Sequence, residues 1–173
     1  MKLQDYIRVV PNWPKAGVSF KDITPLLRDA LAFRAAIHKL IQPYVHQNIA
    51  SVVGIDARGF LFAGAMAYAL KCGAVLVRKK GKLPWDIITQ SYALEYGTAV
   101  LEIHKDAIKK SARVAVVDDI LATGGTMLAT TKLVEKLGGK VVGVSVLGVL
   151  DFSPGAQRVA KKYALHSLIS FTS

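Results

Sequence analysis

Cysteine is nearly missing from this chain. Cys72 stands alone, so no disulfide can close within it, and a reducing compartment is expected. Long apolar runs are missing too. The longest, at 59–70 and 141–150, are closed off by Arg58 and Lys71 and by Lys140 and Asp151, too short to span a bilayer. The opening Met1-Lys-Leu-Gln-Asp-Tyr6 carries no apolar stretch of the secretory kind, so a cytoplasmic location and no membrane partner are expected. Acids are scarce, with 12 Asp and Glu against 23 Lys and Arg, a net charge of +11. Such a balance suits nucleic acid, yet helix-turn-helix, zinc-ligand spacing and aromatic–basic interleaving do not occur. The same field would steer small polyanionic substrates, and no nucleic-acid partner is expected. Neither a G-x-G-x-x-G fingerprint nor a Walker lysine motif is present, which argues against dinucleotide dehydrogenases and P-loop nucleotidases.

What remains is 173 residues, 52% of them apolar, enough for one domain over 1–173 that buries roughly two thirds of its unfolded surface. Apolar runs at 51–56, 74–77, 91–96, 99–103, 114–117, 140–150 and 166–171 read as strands, and 30–47, 60–71, 126–137 and 154–163 as helices. A short helix is expected at 3–9, followed by an irregular, packed loop through Pro25. Residues 78–98 lack a sustained period and suit either a mobile lid with a basic hinge or a β-ribbon arm. Alternating strands and helices predict an α/β fold with a mainly parallel, twisted sheet flanked by helices.

One stretch carries chemistry. Val114-Ala-Val-Val117 reads as a strand buried on both faces, ending in Asp118 and Asp119, and Ile120-Leu-Ala-Thr-Gly-Gly-Thr126 then leads into a helix. Open parallel sheets bind ligands beyond the carboxyl ends of their strands, against helix N-termini. The turn Ala122, Thr123, Gly124, Gly125 and Thr126 offers close backbone approach, convergent amides and hydroxyls, as a phosphate monoester requires. Carboxylates beside a phosphate repel it unless they accept hydrogen bonds from hydroxyls or help hold a cation. A ribose 5-phosphate meets both demands, with its diol on Asp118 and Asp119. Elsewhere, Arg58 sits where a strand gives way to a helix and reads either as a fork for a diphosphate or as an ordinary capping or surface arginine, and Phe20 either as a flat surface for a heterocycle or as a core plug.

This stretch resembles the binding motif for 5-phosphoribosyl 1-pyrophosphate (PRPP) of type I phosphoribosyltransferases. Gly17–Leu27, Gly54–Phe62, Arg78–Pro84 and Ser91–Gly97 resemble, in the same order, segments of that family's adenine-specific branch. The resemblance implies the type I fold in a single domain. It implies a small N-terminal hood over about 1–30 that binds the base, and a flexible catalytic loop over about 78–98. It implies transfer of phosphoribose from PRPP to N9 of adenine, giving AMP and pyrophosphate. Relatives acting on 6-oxopurines (xanthine, hypoxanthine or guanine) carry an aspartate where this chain has Ala122; a PRPP-sensing regulator would lack the loop acid or add a DNA-binding extension.

By the same resemblance, Glu95 is the acid/base, near adenine N7, and Arg58 holds pyrophosphate across an Ala57–Arg58 peptide expected to be cis. Phe20 and Ile120 sandwich the ring, while the backbone at Ser19 and Lys21 reads its Watson–Crick edge. Arg78, Lys79 and Lys82 reach the pyrophosphate of a neighbouring subunit in a homodimer, and Mg²⁺ arrives chelated by PRPP rather than in a protein cage. The chain departs from the family after the motif helix. Where a Glu-Leu pair and then Gly-Arg are usual, 146–156 reads Val-Leu-Gly-Val-Leu-Asp-Phe-Ser-Pro-Gly-Ala, a difference expected to stay clear of the site.

Overall fold

The computed structural model describes residues 1–94 and 97–172. Its elements, in chain order, are β1 (Arg8–Pro11), β2 (Ser19–Asp22), α1 (Thr24–Arg28), α2 (Ala30–Ile41), β3 (Ser51–Ile55), α3 (Gly59–Leu70) and β4 (Gly73–Lys79). They continue with β5 (Ile87–Ala93), β6 (Thr98–His104), β7 (Arg113–Leu121), α4 (Gly125–Lys136), β8 (Lys140–Leu150), α5 (Gly155–Ala160) and β9 (Leu165–Phe171). The main sheet runs β5-β6-β4-β3-β7-β8-β9, parallel from β4 to β9, with β6 antiparallel to both β4 and β5.

Successive residues of the central strands serve opposite faces, as a pleated strand requires. Val52, Ala115 and Val117 pack with Phe62 and Met66 of α3 and with Ile37 and Leu40 of α2. Val53, Val114 and Val116 pack on the other side with Leu133 and Val134 of α4 and Leu101 and Ile103 of β6. With both faces covered, these strands read as unbroken apolar runs.

Several expected elements take another form. Residues 3–9 are not one helix: a 3₁₀ turn at Leu3–Tyr6 gives way to β1, which pairs antiparallel with β2 inside the segment expected to be irregular. The exchange of backbone hydrogen bonds with β2 outweighs a short helix that buries only Leu3. The helix expected over 30–47 starts at Asp29, whose carboxylate caps the amides of Leu31 and Ala32 at 3.0 and 2.8 Å. It stops at Ile41 because Pro43 cannot extend the ladder, and a 3₁₀ turn follows. Of the two forms expected for 78–98, the described part is a ribbon arm: β5 and β6 pair from Ile87↔His104 to Ala93↔Thr98.

Candidate active site

The sheet opens where one neighbour leaves β7. Strand β3 pairs with β7 only as far as Gly54↔Val117, whereas β8 stays with it to Leu121↔Val149. Asp118 and Asp119 therefore lie within the strand rather than at its end, held on one side by β8 and unpaired on the side β3 has vacated. Asp119 is 4% exposed and donates its amide N–H to Asp118 Oδ1 at 2.9 Å. Although Asp118 keeps some contact with solvent, burial first and the Asp119 charge second push its carboxyl well above the usual range.

Arg58 caps α3 from the next strand, and its Nε lies 2.7 Å from Asp119 Oδ2. That oxygen nonetheless lacks an aligned hydrogen bond, so the pair is a charge contact with acceptor capacity to spare. The Arg58 guanidinium also lies 5.0 Å from the Phe20 ring centre, linking hood and acids. The cis peptide of this loop is Asp56–Ala57, one bond before the expected Ala57–Arg58. Arg58 itself has φ −69° and ψ −29°, already helical as the N-cap of α3.

The glycine turn follows. Gly124 has φ +78°, a left-handed conformation that a side chain would strain, and the helix opens at Gly125, one residue earlier than expected. A Cβ at Gly125 would stand 3.2 Å from the Tyr92 ring, so β5 leans directly on the turn. Two cavities meet here. One of about 270 Å³ gathers Asp56, Arg58, Lys79, Asp118, Asp119, Ile120 and Thr126. The other, about 860 Å³, lies along Ala122, Thr123, Gly125, Ser153 and Arg158; Tyr92 lines both. The smaller one holds the acids and is the better seat for reacting atoms.

In the hood, Lys21 is 4% exposed, donates to Ser19 Oγ at 2.9 Å and lies 5.4 Å over the Phe171 ring, while Trp13 meets Phe20 edge-on at 4.4 Å. Ser19 and Lys21 are two apart on β2, so their backbone groups share one edge. Phe20 is joined to the acids through Arg58.

At the basic turn, Arg78 pairs with Asp56 at 3.3 Å and donates to the Lys82 carbonyl at 3.3 Å; Lys79 and Lys82 are exposed. Glu102, unnoticed in the sequence, anchors this turn. It is 1% exposed yet accepts the amides of Lys82 and Leu83 on one oxygen at 2.7 and 2.8 Å, and that of Gly81 on the other at 3.0 Å. A lone acid between Leu101 and Ile103 in an apolar strand was the available sign. Glu95 lies outside the described residues. Among the described residues no three His, Cys, Asp or Glu side chains gather as a metal cage.

The departure at 146–156 does not stay clear of the site. Ser153 Oγ donates to the Ala122 carbonyl and Arg158 Nη1 to that of Thr123, each at 2.8 Å. The approach is possible because Gly155 has no side chain: a Cβ there would stand 1.7 Å from the Ala122 oxygen.

The family model for the phosphoribosyl transferase domain matches residues 24–168. An adenine phosphoribosyltransferase of Brachyspira hyodysenteriae is 50% identical over 171 residues, covering 99% of this chain and 100% of its own. The crystal structure of the Rhodothermus marinus adenine phosphoribosyltransferase superposes with a TM-score of 0.94 at 46% identity, covering 98% of this chain and 96% of that one. The Saccharomyces cerevisiae enzyme, crystallised with adenine and an imino-altritol bisphosphate, superposes with a TM-score of 0.90 at 35% identity, each chain covered to 96%.

Proposed function

We infer, from a chain that belongs to the adenine phosphoribosyltransferase family, that its activity is transfer of phosphoribose from PRPP to N9 of adenine. The products are AMP and pyrophosphate. The observation that carries this is the 270 Å³ cavity in which Arg58, Lys79, Asp118, Asp119, Ile120 and Thr126 converge. In the reaction the C1′–oxygen bond to pyrophosphate breaks, the C1′–N9 bond forms, and adenine loses a proton. Positive charge grows on the sugar while negative charge leaves, so each needs a fixed partner.

Asp118 and Asp119 accept hydrogen bonds from the ribose 2′- and 3′-hydroxyls, and residues 122–126 take the 5′-phosphate. Arg58 turns from Asp119 and the face of Phe20 towards the pyrophosphate, leaving that face to adenine, with Ile120 opposite. The backbone at Ser19 and Lys21 reads the base edge. Glu95 accepts the adenine proton near N7. Mg²⁺ enters as part of the substrate, chelated by PRPP. The guanidinium of Arg58, lining this cavity, suits an anionic magnesium–diphosphate better than a bare cation.

Two copies of the chain form the working unit, with Arg78, Lys79 and Lys82 extended to the neighbour's pyrophosphate. Exposed apolar Leu61 and Tyr68 on α3 and Leu76 on β4 support such an association. A single cysteine supports a reducing, cytoplasmic setting.

With PRPP and Mg²⁺, adenine is expected to yield AMP, while hypoxanthine, guanine and xanthine yield no nucleotide by chromatography. Preferential turnover of guanine would end this reading in favour of a 6-oxopurine enzyme. Glu95→Gln is expected to lower kcat by about 100-fold or more with the dissociation constant for PRPP little changed. Equal loss of both would assign Glu95 to binding.

A further inference from the structure

We infer that Ser153 and Arg158 are positioning residues that aim the amides of the phosphate turn from behind. This rests on the reading that residues 122–126 hold the 5′-phosphate.

A trans peptide is planar, with its C=O and N–H pointing in opposite directions. Holding a carbonyl therefore fixes the direction of the next residue's N–H. Ser153 Oγ holds the Ala122 carbonyl at 2.8 Å and so directs the Thr123 N–H to the opposite side. Arg158 Nη1 holds the Thr123 carbonyl at 2.8 Å and so directs that of Gly124. The Gly124 carbonyl is already taken by the Leu128 amide at 3.0 Å in the first turn of α4. Three successive peptide units are thus tethered through their oxygens, two of them by side chains about thirty residues away in sequence.

The tether has little slack. Gly155 packs so closely that a Cβ would stand 1.7 Å from the Ala122 oxygen and 2.8 Å from the Gly124 nitrogen. From the other direction, a Cβ on Gly124 would stand 3.1 Å from the Gly155 oxygen. A free glycine-rich turn samples many orientations, and ordering it on binding weakens affinity. A turn whose carbonyls are held in advance binds without that loss. The effect is the same for ground state and transition state, since the 5′-phosphate does not react; it therefore appears in KM rather than kcat.

The test is calorimetric titration of the full chain with ribose 5-phosphate, together with steady-state kinetics on PRPP and adenine. Ser153→Ala and Arg158→Gln are each expected to weaken ribose 5-phosphate and raise the KM for PRPP about five- to tenfold. The kcat should stay within about twofold and the KM for adenine should not move. Ser153→Thr restores the hydroxyl and the affinity; Arg158→Lys, with a less directed donor, restores part of it. At about 1 M salt, where charges are screened beyond about 3 Å, the losses should persist.

If Arg158 merely attracts the phosphate by its charge, its loss disappears in salt, Arg158→Lys is equal to wild type and Ser153→Ala has no effect. Any of these overturns the proposal, as does a fall in kcat at constant KM. Failure of the unmodified protein to bind ribose 5-phosphate is a separate result, which removes the underlying reading of the turn and this proposal with it.

Discussion

Glu102→Ala is expected to lower the melting temperature by about 6–12 °C and to raise the KM for PRPP about tenfold. The carboxylate accepts three consecutive amides, from Gly81, Lys82 and Leu83, and is covered by that turn rather than sunk in the central core. Removing it leaves three donors to find water, a loss of about 1 kcal/mol each. The turn carries Lys82 and follows Lys79, so its loosening blurs the placement of the two charges proposed to meet pyrophosphate. Glu102→Gln should fall between, since its amide group presents donors to an amide that is itself a donor.

The pH dependence has a definite sign. Burial alone would raise the Glu102 carboxyl, but the amides of Gly81, Leu83 and Lys82 and the Arg78 charge hold it below its ordinary value. The unfolded chain then binds more protons than the folded one between the two values. The stabilisation is present above an ordinary glutamate pKa of about 4.3 and is lost as pH falls through the lower, folded value. Calorimetric scans should show the wild type and Glu102→Ala converging in acid. A constant gap down to full protonation would mean that the amides are held by something else.

Asp118→Asn should move stability and binding in opposite directions. In the folded protein, burial and then Asp119 raise the Asp118 carboxyl, only partly countered by the Asp119 amide and Arg58. The folded state therefore holds its proton longer than the unfolded chain, and stability falls as pH rises from about 3.9 through the raised value. Ionising this carboxyl therefore opposes folding. Asparagine keeps an acceptor for the Asp119 amide, 2.9 Å away, and removes the repulsion. Relief of about 1 kcal/mol would raise the melting temperature by about 2–4 °C. Loss of the carboxyl proposed to accept a ribose hydroxyl should weaken AMP and PRPP by about 10- to 100-fold. A variant that melts lower yet binds AMP as before would sink this account of the aspartates.

What the sequence disclosed follows the reach of its signals. The run from Val114 to Thr126 was legible because a buried strand, two acids, paired glycines and a helix start are adjacent in the chain. Parallel pairing was legible from apolar runs spaced by helices. Less legible was where strands end, because that depends on which neighbour stays: β7 runs through its acids only because β8 continues beside it. The position of the cis bond was less legible too, since away from proline no residue type marks it. Least legible were partners brought together by packing. Nothing local to Glu102 announces a turn 20 residues earlier, and nothing in Ser153 or Arg158 announces Ala122 or Thr123.

The larger cavity carries a practical consequence for inhibitors. Its walls include Leu150, Phe152, Ser153 and Pro154, drawn from the stretch that departs from the family pattern, and also Tyr92, which borders the acid-lined cavity. A compound anchored on Phe152 and reaching Tyr92 would engage that stretch together with the border of the acid-lined cavity. Selectivity here is to be sought beside the glycine turn rather than in the acid-lined cavity.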